Sequence, residues 1–229
     1  MTAASEAAGT DKAAATRARI LDSALDLFRE RGYEQATMRA IARRAGVALG
    51  NAYYYFRSKE EMVLAFYART HVEHLTACAP VLERERELRR RLLGVMRAKI
   101  ATLDPYHRVA GVLFRTAADP ASPLNPFGSG SSRVREESRR LFARVVEGSR
   151  DRIPPDLRAE LPGLLWLYQM GIVLVWIHDR TRGRARTHRL TGRSVELVAK
   201  LVALASLGVL RPLRRALLRV LAELREDGS

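Results

Sequence analysis

The chain has 229 residues, 47% of them hydrophobic, which is enough for a large core in one or two domains. Its formal net charge of +15 and pI near 11.0 favour a polyanionic partner, but 36 of the 40 basic residues are Arg, a skew that GC-rich codon usage also produces, and the first 60 positions hold ten basic against seven acidic residues. Cys78 is the only cysteine, which excludes an internal disulfide and a cysteine-based metal site and fits a reducing cytoplasm.

Ala, Leu, Arg and Glu are abundant and no stretch alternates with period two, so the sequence predicts an all-α fold. The N-terminus lacks a charged start followed by an apolar run, so no secretory signal is expected, and residues 1–15, rich in small side chains, read as a flexible tail. A first helix is expected over Thr16 to Arg31, with Ile20, Ala24, Leu25, Leu27 and Phe28 along one stripe and Gly32 at its end. Thr37 can then cap a second helix that puts Ile41, Ala42 and Ala45 on one side and Arg39, Arg43 and Arg44 largely on the other. Gly46 tolerates the left-handed backbone that ends a helix, Val47 can plug the corner, and the pattern restarts near Leu49. Two short helices with a glycine turn between them make a helix-turn-helix.

The restarted helix, Leu49 to Phe56, has the dimensions of a major-groove reader and offers Leu49, Gly50, Asn51, Tyr53 and Tyr54, with Tyr55 on its flank. Gly50 costs a helix about 1 kcal/mol relative to Ala, which calls for close approach of backbone to a phosphate or base edge. Asn51 can pair bidentately with adenine, and the tyrosines can reach phosphates while their rings pack on sugars and methyl groups. Arg39 can reach a base or a phosphate; the sequence does not choose.

Ser58-Lys59-Glu60-Glu61 has the spacing of a capping box and opens a helix to about Cys78, with Lys59 at the end whose free amides attract an anion. His71 and His74 are three apart without a third ligand, so no metal is expected. Pro80 is expected to open a helix to about Leu103, whose first stretch ERERELRRR pairs Glu85 with Arg89 and Glu87 with Arg91 on a solvated face. Asp104-Pro105 begins a helix through Ala117, and the proline-rich 118–130 reads as a long loop in which Leu124 and Phe127 either fold over an opening or lie on a mobile segment. Further helices are expected over Ser132 to Glu147, Leu161 to Arg180, Thr191 to Leu207 and Pro212 to Glu226. The third from last is uncharged for 17 residues, Leu161 to Ile177, at the short limit for spanning a bilayer, and with Pro162 and Gln169 inside it reads as a bundle helix packed all round rather than a membrane span.

With these residues in place, the string GVALGNAYYYFRSKEEMV resembles the DNA-binding signature of the TetR family of transcriptional regulators: a Gly-Val turn, a short helix ending in an aromatic run, and a Ser-Lys-Glu cap in register. The resemblance covers about Arg17 to Val63, and Ala48 departs from it, standing where the family usually has a Ser or Thr cap. It implies an N-terminal three-helix DNA-binding domain over 16–57, a larger ligand-binding and dimerisation domain over 58–229, a phosphate contact at Thr37, and a homodimer formed through the two late helices. The expected function is a ligand-responsive regulator of transcription, a repressor that binds palindromic double-stranded DNA and is released by a small apolar or amphipathic effector, with no cofactor and no membrane partner. Met62, Phe66, Met96, Phe114, Trp166, Gln169 and Met170 are the candidate effector-pocket residues, apolar walls with few polar anchors. Two other classes compete: a basic architectural DNA-binding protein without effector, and an enzyme, for which no nucleophile-base pair, metal cluster or nucleotide loop is present in the sequence.

Overall fold

A computed structural model describes residues 2–207 and, beyond them, 209, 211, 212, 214–216 and 219. Among these residues there are nine α-helices and no strand: α1 (Thr2–Arg31), α2 (Met38–Ala45), α3 (Leu49–Tyr55), α4 (Lys59–Arg84), α5 (Leu88–Leu103), α6 (His107–Ala117), α7 (Ser132–Glu147), α8 (Pro155–His178) and α9 (Ala185–Ala205). The helix expected over Pro212 to Glu226 lies largely outside the described residues.

The chain divides into two compact units, one of Met1–His71 with Tyr106–Arg135, the other of Val72–Pro105 with Glu136–Ser229. In the first, Ile20, Ala24, Leu27 and Phe28 of α1 meet Ile41 and Ala45 of α2, Phe56, and Val109 and Leu113 of α6, so α6 buttresses the helix-turn-helix. A domain cut at Ser58 leaves this helix out. α1 runs from Thr2 through the segment expected as a tail, and its alanines are strong helix formers. The 118–130 segment is a chain of tight turns, with Ser122, Asn125 and Gly128 each donating a backbone N–H to the carbonyl three residues earlier. Leu124 is fully buried in the first core, whereas Phe127 is exposed.

The second unit corrects two helix boundaries. α4 does not stop near Cys78 but carries Pro80 inside it and ends at Arg84, and α5 starts at Leu88. Arg91 explains the break. It is 3% exposed rather than part of a solvated face, and its guanidinium donates to the carbonyls of Leu82 and Glu85 at the end of α4 and of Arg144 and Val145 at the end of α7. One side chain thus satisfies the orphan carbonyls of two helix C-termini and places positive charge where both dipoles favour it. α8 also begins earlier than expected, with Pro155 in its first turn beside Asp156.

α8 is not packed all round. Leu161, Leu165, Trp166, Gln169, Ile172 and Trp176 are buried, while Leu167 and Leu174, seven residues apart, are 46% and 42% exposed. It is long and apolar enough to cross a membrane by length and composition. On α9, Thr187, Thr191, Val195 and Val202 face inward and Leu190, Leu197, Leu201 and Leu204 are exposed. The corner between them is built on Asp179, 2% exposed, whose carboxylate accepts from the backbone N–H and hydroxyl of both Thr181 and Thr187. Burial alone would raise the pKa of Asp179, but these four hydrogen bonds outweigh it and hold it below the usual carboxylate range.

Candidate nucleic-acid interface

α2 is bounded as its sequence dictates. The Thr37 side-chain oxygen accepts from the Ala40 N–H at 3.2 Å, and Gly46 adopts φ 66° with the Val47 N–H donating to the Ala42 carbonyl at 3.0 Å. Arg19 of α1 donates from Nε to the Ala45 carbonyl at 2.9 Å, which fixes α2 against α1. Of the three arginines on the outer side, Arg44 is committed to a bidentate pair with Glu30 at 2.7 and 2.8 Å. Arg39 and Arg43 are exposed.

α3 is anchored by Ala52, which is fully buried, and by Phe56, also fully buried and covered by the Arg17 guanidinium 4.5 Å from its ring centroid. Ala48 makes no side-chain cap, so the first turn rests on the Ala52 N–H to Ala48 carbonyl bond at 3.1 Å. The outward side carries Gly50, Asn51, Tyr53 and Tyr54, all exposed, with Tyr54 at 79%. A Cβ at Gly50 would meet nothing within 4 Å, so no packing inside the protein requires glycine there. Leu49 is half-buried; Tyr55 packs against the first core and stands edge-on to Tyr54, at 5.1 Å between centroids, which makes it a support for its neighbour.

Lys59 is more engaged than its sequence position suggests. Its Nζ donates to the Tyr33 carbonyl at 2.8 Å and more weakly to that of Glu34, and lies 4.4 Å from the centroid of the Tyr33 ring. The Tyr33 hydroxyl in turn donates to Glu60 at 2.5 Å. Burial first, and then this bond, push the Tyr33 pKa well above its ordinary value, while the same bond lowers that of Glu60. The capping box is made with a one-residue offset: the Glu61 N–H donates to Ser58 Oγ at 3.2 Å, but the Glu61 carboxylate accepts from the N–H of Arg57 at 2.7 Å. Sequence reasoning missed Tyr33, Arg17 and Arg19, which set the angles of this head through contacts 25 to 40 residues away in the chain.

The effector candidates fall into separate packing groups. Met62 and Phe66 are buried in the first core and Phe114 is half-buried on α6; Met96 and Trp166 are buried in the second core, with Met170 packed against it and Gln169 3% exposed. A cleft of about 620 Å³ opens in the first unit between Arg31–Gln35, α6 residues Val112, Arg115 and Thr116, and the turns after α6. None of the seven effector candidates lines it. His74 Nε2 is 3.0 Å from the Val95 carbonyl, and among the described residues no group of three or more His, Cys, Asp or Glu is arranged to hold a metal ion.

Residues 20–66 match the sequence profile of bacterial regulatory proteins of the tetR family, and residues 91–217 match that of the tetracyclin repressor-like C-terminal domain. The HTH-type transcriptional repressor Rv1474c of Mycobacterium tuberculosis is 35% identical over 100 residues, 44% of this chain and 49% of that protein. The repressor KstR of Rhodococcus jostii is 49% identical over 53 residues, 23% of this chain and 25% of its own length. The chain thus spans half or less of these two curated relatives. Among solved structures, a TetR regulator from Nitrosomonas europaea superposes with a TM-score of 0.64 at 18% identity, over 80% of this chain and 97% of that one. FadR of Bacillus subtilis, solved in complex with stearoyl-CoA, superposes with a TM-score of 0.63 at 16% identity, over 79% and 96%. The helix-turn-helix geometry with its outward-facing α3, together with a C-terminal profile covering more than half of the sequence, establishes that the chain belongs to the TetR family of bacterial transcriptional regulators.

Proposed function

We propose that the protein is a cytoplasmic, effector-released repressor that binds a palindromic operator as a homodimer. The observation that carries this reading is α3, with Gly50, Asn51, Tyr53 and Tyr54 exposed beside the uncommitted Arg39 and Arg43. In this reading Asn51 reads a base, the tyrosines contact phosphate and sugar, Thr37 donates its remaining hydroxyl proton to a phosphate, and Lys59 uses the proton not held by Tyr33 and Glu34 in the same way.

One α3 buries little surface, and two related by a two-fold axis double the contact. The exposed leucines of α8 and α9, repeating at helical spacing, supply the apolar face that a four-helix dimer interface needs. Met96, Trp166, Gln169 and Met170, which border the second core, are assigned to effector binding, and the stearoyl-CoA held by a protein of the same fold supports an amphipathic ligand. α4, a single helix with residues in both units, carries the change. Moving the DNA-competent population from 99:1 to 1:99 takes about 5.5 kcal/mol of differential affinity.

Selection of bound genomic fragments by the purified full chain, repeated with candidate metabolites, tests this. The reading requires one preferred palindrome, retained as salt rises, and its release by at least one metabolite. Sequence-independent binding that collapses with salt would instead favour an architectural protein, the alternative to which the net charge of +15 points.

A further inference from the structure

The corner that joins α8 to α9 is strongly basic: residues 178–193 hold six arginines against Asp179, a net of +5 in 16 positions and a third of the whole +15. Arg180, Arg182, Arg186, Arg189 and Arg193 are exposed, and among the described residues no carboxylate lies within ion-pair distance of any of them. Asp179 is consumed by Thr181 and Thr187, Asp104 faces Arg184 at 3.7 Å, and Glu196 takes Lys200 at 2.7 Å. The stretch 84–99 has the same net charge, but there Arg84 and Arg90 pair with Glu85 and Glu87, and Arg91 is internal.

Local electrostatics opposes this arrangement. Arg186 and Arg189, and Arg189 and Arg193, repel at spacings of three and four on one helix, and Arg186 stands in the first turn of α9, where the dipole disfavours a cation. The corner nevertheless has a fixed shape. The bonds of Asp179 hold both its ends, and Arg184, with its backbone at φ 53°, donates from Nη1 to the Asp179 carbonyl at 3.1 Å. The amides of Arg186 and Thr187 are already taken by Thr181 and Asp179, so the guanidinium groups and not the helix end are what an anion would meet.

We propose that this corner is a second, sequence-independent surface for duplex DNA, holding phosphates through Arg180, Arg182, Arg186, Arg189 and Arg193 and separate from α3. Guanidinium forks fit phosphate oxygens, and duplex DNA offers a charge about every 1.7 Å along its axis, denser than an acidic peptide. Arg186, Arg189 and Arg193 climb α9 over about 10 Å, the axial rise of about three nucleotides of one strand. An anionic bilayer fits less well, because Leu190 is the one exposed large apolar side chain within 178–193 that could enter it. The proposal goes beyond the operator reading and needs neither effector nor dimer.

The test is fluorescence anisotropy of a labelled duplex of about 30 base pairs lacking the operator, titrated with the full chain over a salt series. Combined Arg180→Gln, Arg182→Gln and Arg189→Gln should lower the slope of log affinity against log salt by about two to three, and weaken binding at about 50 mM salt by about tenfold or more. Melting temperature and sedimentation should stay as in the parent, and the preference for the selected operator over this duplex should be kept or enlarged. Arg84→Gln, Arg90→Gln and Arg140→Gln, which remove the same three charges from arginines already paired, should leave the slope near that of the parent. Equal slopes for the two triple variants, or no binding of the duplex by the parent at the lower salt, would overturn the assignment. So would altered sedimentation of the corner variant, which gives the arginines to a subunit contact, or loss of its binding to phosphatidylglycerol vesicles with duplex binding intact. The operator selection is scored on sequence preference, so the regulator reading is judged separately.

Discussion

Lys59 and Tyr33 hold each other twice, by the 2.8 Å bond from Nζ to the Tyr33 carbonyl and by the ammonium lying 4.4 Å from the centre of its ring. The start of α4 is thereby clamped to the turn between α1 and α2. Lys59→Ala should lower stability by about 1 kcal/mol and weaken binding to all DNA sequences alike, with the slope of log affinity against log salt falling by about one. A change confined to stability, with the salt slope intact, would restrict Lys59 to the clamp.

Arg91 is the corresponding device in the second unit. Arg91→Met removes donors from four carbonyls at two helix ends, and a loss of about 4 kcal/mol in urea unfolding is expected. Gly148→Ala should act through the same residue, because a Cβ there collides with Nη2 of Arg91.

Gly50 separates packing from DNA contact. Because a Cβ meets nothing in the protein, Gly50→Ala should leave folding intact or raise stability by up to about 1 kcal/mol, yet reduce operator affinity measured by fluorescence anisotropy. Unchanged affinity would mean that no DNA atom comes close to this backbone.

Asp179 predicts a pH dependence. Its pKa is lowered on folding, so its contribution is full above the unfolded carboxylate value of about 3.9 and is lost as pH falls toward the folded one. Asp179→Asn turns an N–H₂ toward donors that need an acceptor, and should cost about 2 kcal/mol in thermal or denaturant unfolding at pH 7, with the difference from the parent shrinking below about pH 4.

The leucine face predicts an assembly defect. Leu201→Glu, at a position 53% exposed in the single chain, should leave the fold unchanged and shift sedimentation from dimer to monomer.

The helix-turn-helix was legible because its signals are local: Thr37 before α2, Gly46 after it, and Ile41, Ala42 and Ala45 at helical spacing. What was not legible depends on residues distant in the chain. ERERELRRR has the pattern of a solvated face, and only the convergence of the ends of α4 and α7 makes Arg91 internal. Nothing near Lys59 announces that the Tyr33 and Glu34 carbonyls lie within reach of its amine. Composition cannot distinguish an apolar helix packed all round within one chain from one that leaves a face open, as α8 does at Leu167 and Leu174.

The central claim is that two copies of α3 read neighbouring major grooves, about 34–36 Å apart. Titrating the full chain against its selected palindrome, and against the same half-sites with about 5 base pairs inserted between them, tests it directly, since half a helical turn puts them on opposite faces of the duplex. The account predicts two chains per intact palindrome, and an affinity for the spaced duplex lower by on the order of a hundredfold. Equal affinity for both duplexes, or saturation at one chain per palindrome, would contradict it.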